Sequence, residues 1–533
     1  MGLDVPLPVQ RAFFGRFGGR LRPIQEATFS QIELDRDVLI TAGTGTGKTE
    51  AAFVPVVCEL MNRDPQVCGL GALVISPTRA LATDLHTRMA PIFAALGLRL
   101  DVATGDKNTC RSGKPADALI RTPEGLDNTL CRQPDDLQAV RAVIIDEVHF
   151  FLDNPRGTQL IGLLDRLNTL AGPHRRLGVS ATVPDITLPT RARLLRNPII
   201  VEETGGQALE IICHQWLGDE SQGVPSFLSL LRERECRKAI GFAKTRVRVE
   251  RLCQLLNTGF LRGNCLVHHG STSSAMRKEA EARLRKMRVG LVVATTTLEV
   301  GIDIGDVDTC ILFDAPASVS AFLQRAGRAG RRGGLRRVVC VAGLYDRATD
   351  FGRLIGQLKT GQLGANGDAR PFLVGCLQQA TSAIAAAHGR HQQAITQFLS
   401  QAYGLTPRAS EAIIAGLLDA QMIRLHGDDL ALSERGQQLL ERRTLHLTFA
   451  ADSGVAVVDE LSGRALGRAY VDGYDQIRLG GGGHRIVSID PQRGCVMTHP
   501  TEGGIAAFAR PAESVFQEIA RRWLPRVGRE VQG

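Results

Sequence analysis

Apolar and polar residues repeat with two periods along the first part of the chain. Short runs rich in Val, Ile and Leu, such as DVLIT at 37–41 and AVII at 142–145, predict buried strands of a parallel sheet. A stretch with helical spacing follows such runs, as KTEAAFVPVV does at 48–57. The strand–helix–strand order occurs in residues 1–203 and again in 204–370, which predicts two tandem α/β domains with parallel sheets.

Residues 371–445 have a different pattern, which predicts a small helical domain. The segment TSAIAAAHGRHQQAITQFLSQAYG has the length and spacing of one helix, and TPRASEAIIAGLLDAQMI begins a second one with Thr406 as its cap. A hairpin is predicted around His426–Asp429. Two helices and a hairpin are typical of a winged helix, which binds DNA in many proteins. Because this segment is not basic, packing against the rest of the chain is an equally good interpretation.

Residues 446–533 contain short strands separated by turns rich in Gly and Asp, which predicts a small β-rich domain. An amphipathic helix, SVFQEIARRWLPRV, closes the chain. The run Gly480–Gly483 could bind a phosphate through its backbone or form a turn. Since no helix start and no Lys follow it, we interpret it as a flexible turn.

The composition narrows the class of protein. With 44% hydrophobic and 22% charged residues, the chain resembles ordinary water-soluble globular proteins. No apolar run approaches the roughly 20 residues that a membrane span needs, and no secretory signal opens the chain. We therefore expect a cytoplasmic protein without a membrane partner. The net charge of +9 is concentrated in residues 201–370, which favours a polyanionic partner.

Metal binding is not favoured by the distribution of Cys and His. The 12 cysteines include no C-x-x-C pair, which favours reduced thiols over structural zinc. The pair His268 and His269 has no companion at ligand spacing, so we interpret it as part of a structural loop.

A glycine-rich loop gives the clearest chemical signal. AGTGTGKT at 42–49 lies between a predicted strand and a predicted helix, which is the context of a phosphate-binding P-loop. Lys48 would reach the β- and γ-phosphates of ATP, and Thr49 would hold Mg²⁺. Ala42 stands where the strict pattern has Gly. The predicted phosphate-binding residues are Ala42, Gly43, Thr44, Gly45, Thr46, Gly47, Lys48 and Thr49.

Two adjacent carboxylates follow the AVII strand. Asp146 and Glu147 would lie at the carboxyl edge of the sheet, where α/β proteins bind their ligands. Downstream of a P-loop, Asp146 is expected to hold Mg²⁺ and Glu147 to polarise the attacking water.

These motifs occur within a longer series. RPIQ, PTRALA, TPEGL, DEVH and SAT follow one another in residues 1–203, and ATTTLEVGIDIG and QRAGRAGR occur in 204–370. In this order they resemble the motifs of superfamily 2 DExH helicases. GTGTGKTEAAF, GVSATVPD and VHHGS are more specific and resemble a short form of the Lhr-like group, over about residues 10–350.

The resemblance implies that the two α/β domains are RecA-like and bind ATP between them. Gln25 would contact the adenine, and Gly301 and Asp303 would also bind the nucleotide. The segment Ser180, Ala181 and Thr182 would couple ATP hydrolysis to movement. The residues that would contact nucleic acid are Pro77, Thr78, Arg79, Thr122, Pro123, Arg246 and Thr295.

The resemblance also implies that the segment QRAGRAGR contacts the nucleotide. Gln324 would contact the nucleotide, and Arg328 and Arg331 would face its γ-phosphate. Arg325, Arg328 and Arg331 are spaced three residues apart, which predicts one basic face of a helix.

We therefore expect an enzyme, an ATP-dependent helicase or single-strand translocase that uses ATP and Mg²⁺. The resemblance implies 3′→5′ movement on single-stranded or tailed duplex DNA, in DNA repair or processing. The alternatives are an RNA helicase and a motor subunit of a larger complex with a protein partner such as a nuclease, including a defence complex. A non-catalytic scaffold is disfavoured because the expected catalytic residues are all present.

Overall fold

The computed structural model divides the chain into two compact units. It describes residues 4–15, 19–32, 36–43, 45–64, 69–105, 107–110, 116–152, 154–181, 192–203, 209–216, 220–295, 307–316, 319–330, 336–342, 348–360, 370–387, 390–448, 455–469, 475–490, 495–502, 504, 506 and 514–531. Unit 1 comprises Met1–Thr204, Ala365–Ala450 and Glu513–Gly533, and unit 2 comprises Gly205–Gly364 and Ala451–Ala512. The two units therefore cut across the predicted domains, because the segment predicted as 446–533 is shared between them.

The first α/β domain lies in unit 1 and has a parallel sheet in the order β3-β4-β2-β5-β6-β1-β7. Its strands are β1 (Val38–Thr41), β2 (Ala72–Ile75), β3 (Leu100–Val102), β4 (Ala118–Arg121), β5 (Ala142–Ile145), β6 (Arg175–Ser180) and β7 (Ile199–Glu202). Its helices are α1 (Leu7–Phe14), α2 (Pro23–Gln31), α3 (Lys48–Met61), α4 (Arg79–Ala95), α5 (Pro123–Arg132) and α6 (Pro155–Ala171). Strands β1, β2 and β5 are buried along their whole length, as their continuous apolar runs predict.

The second α/β domain lies in unit 2 and has a parallel sheet in the order β10-β11-β9-β12-β13-β8. Its strands are β8 (Leu209–Gln215), β9 (Lys238–Phe242), β10 (Cys265–His268), β11 (Gly290–Ala294), β12 (Thr309–Leu312) and β13 (Arg336–Ala342). Its helices are α7 (Glu220–Glu233), α8 (Arg246–Leu256), α9 (Ser274–Lys286), α10 (Val319–Ala326) and α11 (Ala348–Thr360). The predicted pair of parallel-sheet domains is thus confirmed.

The helical segment belongs to unit 1. It contains α12 (Arg370–Ala386), β14 (Arg390–His391), α13 (Gln392–Tyr403), α14 (Pro407–Asp419), β15 (Ile423–His426), β16 (Asp429–Leu432) and α15 (Glu434–Glu441). Strands β15 and β16 form the predicted hairpin, and Thr406 caps α14 by accepting from the backbone N–H of Ala409. The prediction of a single helix over 381–404 is wrong, because Arg390 and His391 pair with β16 and separate α12 from α13.

The β-rich segment lies in unit 2. Its strands are β17 (Val455–Asp459), β18 (Ala465–Ala469), β19 (Gln476–Leu479), β20 (Gly482–Asp490) and β21 (Cys495–Thr501), in the order β18-β17-β21-β20-β19. Helix α16 (Val515–Val531) follows and belongs to unit 1. None of the helices in the described parts of the chain is long and apolar enough to cross a membrane.

Helix α14 is covered by other elements of unit 1. Ile413, Ile414 and Leu417 are buried in the same apolar cluster as Phe516 and Ile519 of α16. The charged side chains that α14 leaves exposed are Arg408, Glu411 and Asp419, so this surface carries both signs of charge. Of the two interpretations of this segment, the packing role gains support.

A buried polar network joins the helical segment to the first α/β domain. Asp127 of α5 accepts hydrogen bonds from Arg166 (2.7 Å), Gln378 (2.7 Å) and Ser382 (2.6 Å), and His446 Nδ1 lies 2.9 Å from its carboxylate. Burial alone would raise the pKa of Asp127, but the charges and hydrogen bonds of its partners hold that pKa well below its usual range. The ionised carboxylate is therefore the form that the fold requires.

We predict that Asp127→Asn destabilises unit 1 by about 3–5 kcal/mol at neutral pH, because it leaves the buried Arg166 cation without its counter-charge. A lowered native pKa gives stability that is present above the unfolded pKa of about 4 and is lost as the pH falls through the native pKa. Urea denaturation followed by tryptophan fluorescence measures the change. The difference in the free energy of unfolding between the variant and the wild type should therefore become smaller as the pH is lowered.

Asp84→Asn is the matched control, because Asp84 pairs with Arg88 on an exposed helix surface at 3.0 Å. It should cost less than about 1 kcal/mol. Equal effects of the two substitutions would contradict the importance of the buried network.

Candidate nucleotide site and nucleic-acid interface

The P-loop links β1 to the start of α3. Gly45 and Gly47 have φ of +82° and +95°, a left-handed conformation that side chains other than glycine rarely adopt. The Thr46 hydroxyl donates to the Gly43 carbonyl at 2.9 Å and closes the loop. Lys48 begins α3, and its buried ammonium lies 3.5 Å from the Ala42 carbonyl. The predicted loop residue Thr44 lies outside the described residues.

Gln25 and Arg22 hold this loop from one side. Gln25 is buried, its amide donates to the Gly47 carbonyl at 3.2 Å, and its oxygen accepts from the backbone N–H of Arg22 at 3.0 Å. The Arg22 guanidinium donates to the Gly45 carbonyl. In this structure Gln25 therefore supports the P-loop, and its predicted contact with adenine stays a prediction. Sequence reasoning missed Arg22.

Asp146 and Glu147 follow β5, in the sheet that also carries the P-loop strand. Lys48 Nζ lies 3.9 Å from Glu147 Oε2. Glu147 has φ of +50°, an uncommon left-handed conformation for a residue with a side chain. Strained backbone of this kind is frequent where a side chain must be aimed at a ligand.

The two adjacent carboxylates are buried together. Burial and then the Glu147 carboxylate raise the pKa of Asp146 to about 7, against the opposing effect of Lys48. A buried carboxylate with this pKa favours a cation. The oxygen donors of Asp146 and Thr49 are those that Mg²⁺ prefers, so the residues present fit this ion.

His149 and Ser180 connect the carboxylates to the P-loop. His149 Nδ1 lies 3.1 Å from the Ser180 hydroxyl and 3.5 Å from Glu147 Oε2. The backbone N–H of Ala42 donates to the Ser180 carbonyl at 3.2 Å. Ala181 is the next described residue, and Thr182 lies outside the described residues. A change in the P-loop can therefore reach the SAT segment through direct hydrogen bonds.

The predicted nucleic-acid contacts of the first domain lie at two helix starts. Thr78 caps α4 by accepting from the backbone N–H of Leu81 at 3.2 Å, and Thr122 caps α5 by accepting from that of Gly125 at 3.3 Å. Both helices start just after a strand of the same sheet, so the partial positive charge of their first turns suits phosphates. Pro77 is buried next to Thr78, Pro123 begins α5, and Arg79 is exposed at the start of α4.

Arg156 joins these two helix starts. Its guanidinium donates to both carboxylate oxygens of Glu124 at 2.7 and 3.0 Å and to the Pro77 carbonyl at 2.5 Å. A planar guanidinium fixes such contacts better than an ammonium could. Sequence reasoning missed Arg156, because its partners are far away along the chain.

The second domain presents its predicted residues at the carboxyl edge of its own sheet. Arg246 begins α8 and donates to the Ser271 hydroxyl at 2.7 Å. Thr295 follows β11, and its backbone N–H donates to the His268 carbonyl at 3.2 Å. The structure thus brings Arg246, Ser271 and Thr295 to neighbouring strand ends.

The arginines of QRAGRAGR do not share one helix. Helix α10 ends at Ala326, so Arg328 lies in the turn that follows, with its N–H bonded to the Arg325 carbonyl at 3.0 Å. The predicted single helical face is therefore wrong for Arg328, because the glycines of this segment favour a turn. Gln324 is half-buried, and the Arg325 guanidinium stacks over Phe242 at 5.4 Å. Arg331, Gly301 and Asp303 lie outside the described residues.

Asp127, Cys131 and His446 come close enough together to hold a metal ion. The Arg166 guanidinium, however, lies 2.7 Å from the Asp127 carboxylate and 3.6 Å from the Cys131 sulfur. A metal cation would have to replace this guanidinium, so we assign the cluster to folding.

We predict that Asp146→Asn stabilises the nucleotide-free protein by about 1–3 kcal/mol at pH 8, because it removes a desolvated negative charge. A raised native pKa means that the native state holds a proton that the unfolded chain has lost. Wild-type stability therefore falls as the pH rises from about 4 to about 7, and the variant should lack this fall. Thermal unfolding across this pH range measures both effects, and an equal gain at pH 4 and pH 8 would contradict the assignment.

Known proteins similar to this chain are helicases. Residues 22–188 match the DEAD/DEAH box helicase family, and residues 223–333 match the helicase conserved C-terminal domain. The chain is 33% identical to ATP-dependent helicase Lhr-Core protein 2 of Thermococcus barophilus, over 61% of this chain and 42% of that protein. It is 30% identical to ATP-dependent RNA helicase SrmB of Escherichia coli, over 59% of this chain and 72% of that protein.

A solved structure extends the similarity to the fold. Helicase Lhr of Mycobacterium smegmatis, bound to ssDNA and AMP-PNP, matches with a TM-score of 0.65 and 29% identity, over 81% of this chain and 61% of that chain. The chain spans less than half the length of the Lhr-Core relatives. The predicted resemblance is confirmed: the chain belongs to the DEAD/DEAH-box helicases of superfamily 2, in their Lhr-like group.

Proposed function

We propose that this protein is an ATP-dependent helicase or single-strand translocase that moves 3′→5′ on DNA. The observation that carries the proposal is the meeting of Lys48, Asp146 and Glu147 at one edge of a parallel sheet, where the P-loop starts a helix. This arrangement combines phosphate binding with the groups that activate water. The ATP analogue in the Mycobacterium smegmatis Lhr structure supports the same ligand.

The P-loop amides and the first turn of α3 would surround the phosphates of ATP. In this structure the Lys48 ammonium lies 3.9 Å from the Glu147 carboxylate. When ATP binds, Lys48 would leave this carboxylate and bind the β- and γ-phosphates. The freed Glu147 carboxylate would then accept a proton from the attacking water. Mg²⁺, held by Thr49 and Asp146, would neutralise charge on the phosphates.

The second domain would complete this reaction. Arg328 and Arg331 would stabilise the charge on the transferred phosphoryl group, and Gln324 would contact the nucleotide together with Gly301 and Asp303. The hydrogen bond that Ala42 N–H donates to the Ser180 carbonyl, and the contact of the Ser180 hydroxyl with His149, would transmit the loss of the γ-phosphate to the SAT segment. ATP turnover would thereby be coupled to movement along the strand.

Nucleic acid would bind along the strand ends of both domains. The helix starts at Thr78 and Thr122 and the side chain of Arg246 suit the sugar-phosphate backbone, which predicts binding that weakens with salt. The single-stranded DNA in the Mycobacterium smegmatis Lhr structure favours DNA. We place the proposed activity in DNA repair or processing. The runner-up is RNA, because SrmB is described as an RNA helicase.

The proposal also covers the location and the domains of the protein. We place its work in the cytoplasm and retain 1–203 and 204–370 as RecA-like domains and 371–445 as a winged-helix domain. We also propose a protein partner such as a nuclease.

We predict that single-stranded DNA stimulates ATP hydrolysis and that the protein unwinds a duplex with a 3′ tail. Glu147→Gln should lower the turnover number at least about 100-fold while nucleotide binding persists, because it removes the proton acceptor. Hydrolysis and unwinding are measured on 3′- and 5′-tailed DNA, RNA and hybrid duplexes. Absence of stimulation by every nucleic acid would overturn the helicase proposal, and stimulation by RNA alone would favour the runner-up.

We predict that Arg331 is needed for ATP turnover and that Arg336 is not. Arg331→Ala should abolish ATP turnover and leave nucleic-acid binding intact, because its role is on the γ-phosphate. Arg336 begins β13 and pairs in register with Leu209, so Arg336→Ala should change turnover less than about twofold. Steady-state ATPase and oligonucleotide binding distinguish the two, and matching phenotypes would contradict the division.

A further inference from the structure

The glycine turn between β19 and β20 binds a carboxylate of the second α/β domain. The backbone N–H groups of Gly480 and Gly481 donate to Glu250 at 2.5 and 2.8 Å. Both glycines have left-handed φ, of +68° and +84°, which points two successive N–H groups to the same side. The predicted turn is therefore present, and its amides bind an internal anion.

Glu250 connects this turn to a loop near the predicted nucleic-acid contacts. It is completely buried on α8, and its carboxylate also lies 2.9 Å from His269 Nε2. The backbone N–H of Ser271 donates to His269 Nδ1 at 3.2 Å. The proton of the neutral ring therefore lies on Nε2, where it is donated to Glu250.

The same loop pairs with the β-rich segment through its backbone. Thr272 forms an antiparallel bridge with Gly467 of β18, the N–H of Ser273 donates to the Leu466 carbonyl at 2.8 Å, and the N–H of Arg468 donates to the Ser271 carbonyl at 2.7 Å. A side chain at Gly467 would collide with the Ser271 carbonyl. The loop 269–273 is thus held from two directions by residues of the segment 451–512.

Ser271 accepts the hydrogen bond of Arg246, a predicted nucleic-acid contact. We propose that Glu250 is a positioning residue, and that with Gly480 and Gly481 it makes the β-rich segment a working part of the nucleic-acid interface of unit 2. This inference rests on the proposed function. Glu250 would act on binding through His269 and Ser271, which fix where the Arg246 guanidinium points.

The test is Glu250→Gln, which keeps the size of the side chain but removes its charge and one of its acceptor oxygens. We expect the concentration of single-stranded thymidine oligonucleotide that half-maximally stimulates ATP hydrolysis to rise roughly 5- to 20-fold. The maximal ATPase rate, the KM for ATP and the hydrolysis without oligonucleotide should stay unchanged. A structural defect alone would lower the amount of active enzyme and leave the half-maximal concentration where it is.

Glu279→Gln is the matched control, because Glu279 joins the same two segments through an ion pair with Arg464 whose side chains are both exposed. It should change the half-maximal concentration by less than about twofold. If Glu250→Gln behaves like this control, the positioning role is overturned while the helicase proposal stands. If the wild type shows no stimulation, the proposed function fails first and the positioning role with it.

Hydrogen exchange on the wild type gives a second measurement that does not depend on the folding of a variant. Coupling is reciprocal, so bound oligonucleotide should slow exchange at the amides of Gly480 and Gly481. Exchange at these amides that is the same with and without a saturating oligonucleotide would overturn the proposal.

Discussion

The two α/β domains depend on one constraint: a parallel sheet covered on both faces can present polar chemistry only at its edges. Strands β1, β2 and β5 are buried along their whole length and are apolar apart from Thr41 at the end of β1, so the polar groups of the site follow the points where these strands end. Because all these strands run the same way, their carboxyl ends meet at one edge. The phosphate loop, the paired carboxylates and two helix starts are brought together for this reason.

Bringing these groups together has a cost that the fold must offset. Asp146 and Glu147 are buried side by side, and their mutual repulsion is only partly relieved by Lys48. The backbone of Glu147 is also held in an unfavourable conformation. Such a site suits a divalent cation together with a phosphate-bearing ligand better than it suits its own empty state, which is the physical reason for proposing Mg²⁺ and ATP as its ligands.

The helical segment and the β-rich segment are fixed to the α/β domains by polar groups as well. Among their polar contacts with the α/β domains are two buried carboxylates, Asp127 and Glu250, whose hydrogen bonds come from remote parts of the chain. A buried carboxylate needs several donors, and supplying them from another segment fixes that segment in place. The helical segment is thereby bound to the first domain and the β-rich segment to the second.

The sequence by itself determined what depends on neighbouring residues. The strand runs and the hairpin at His426–Asp429 follow from local period and turn residues, and the structure has them where they were predicted. Residues 381–404 were misjudged because their helical spacing is interrupted by pairing with β16, which lies beyond them in the chain.

Tertiary structure alone decided which distant side chains meet. Three such contacts leave no periodic pattern in the sequence, because each joins residues separated by many others. They are Arg22 with Gly45, Arg156 with Glu124, and Glu250 with Gly480. It also decided that the segment after residue 446 is shared between the two units. Local patterns specify elements, whereas the partners of buried charges are selected only when the elements pack.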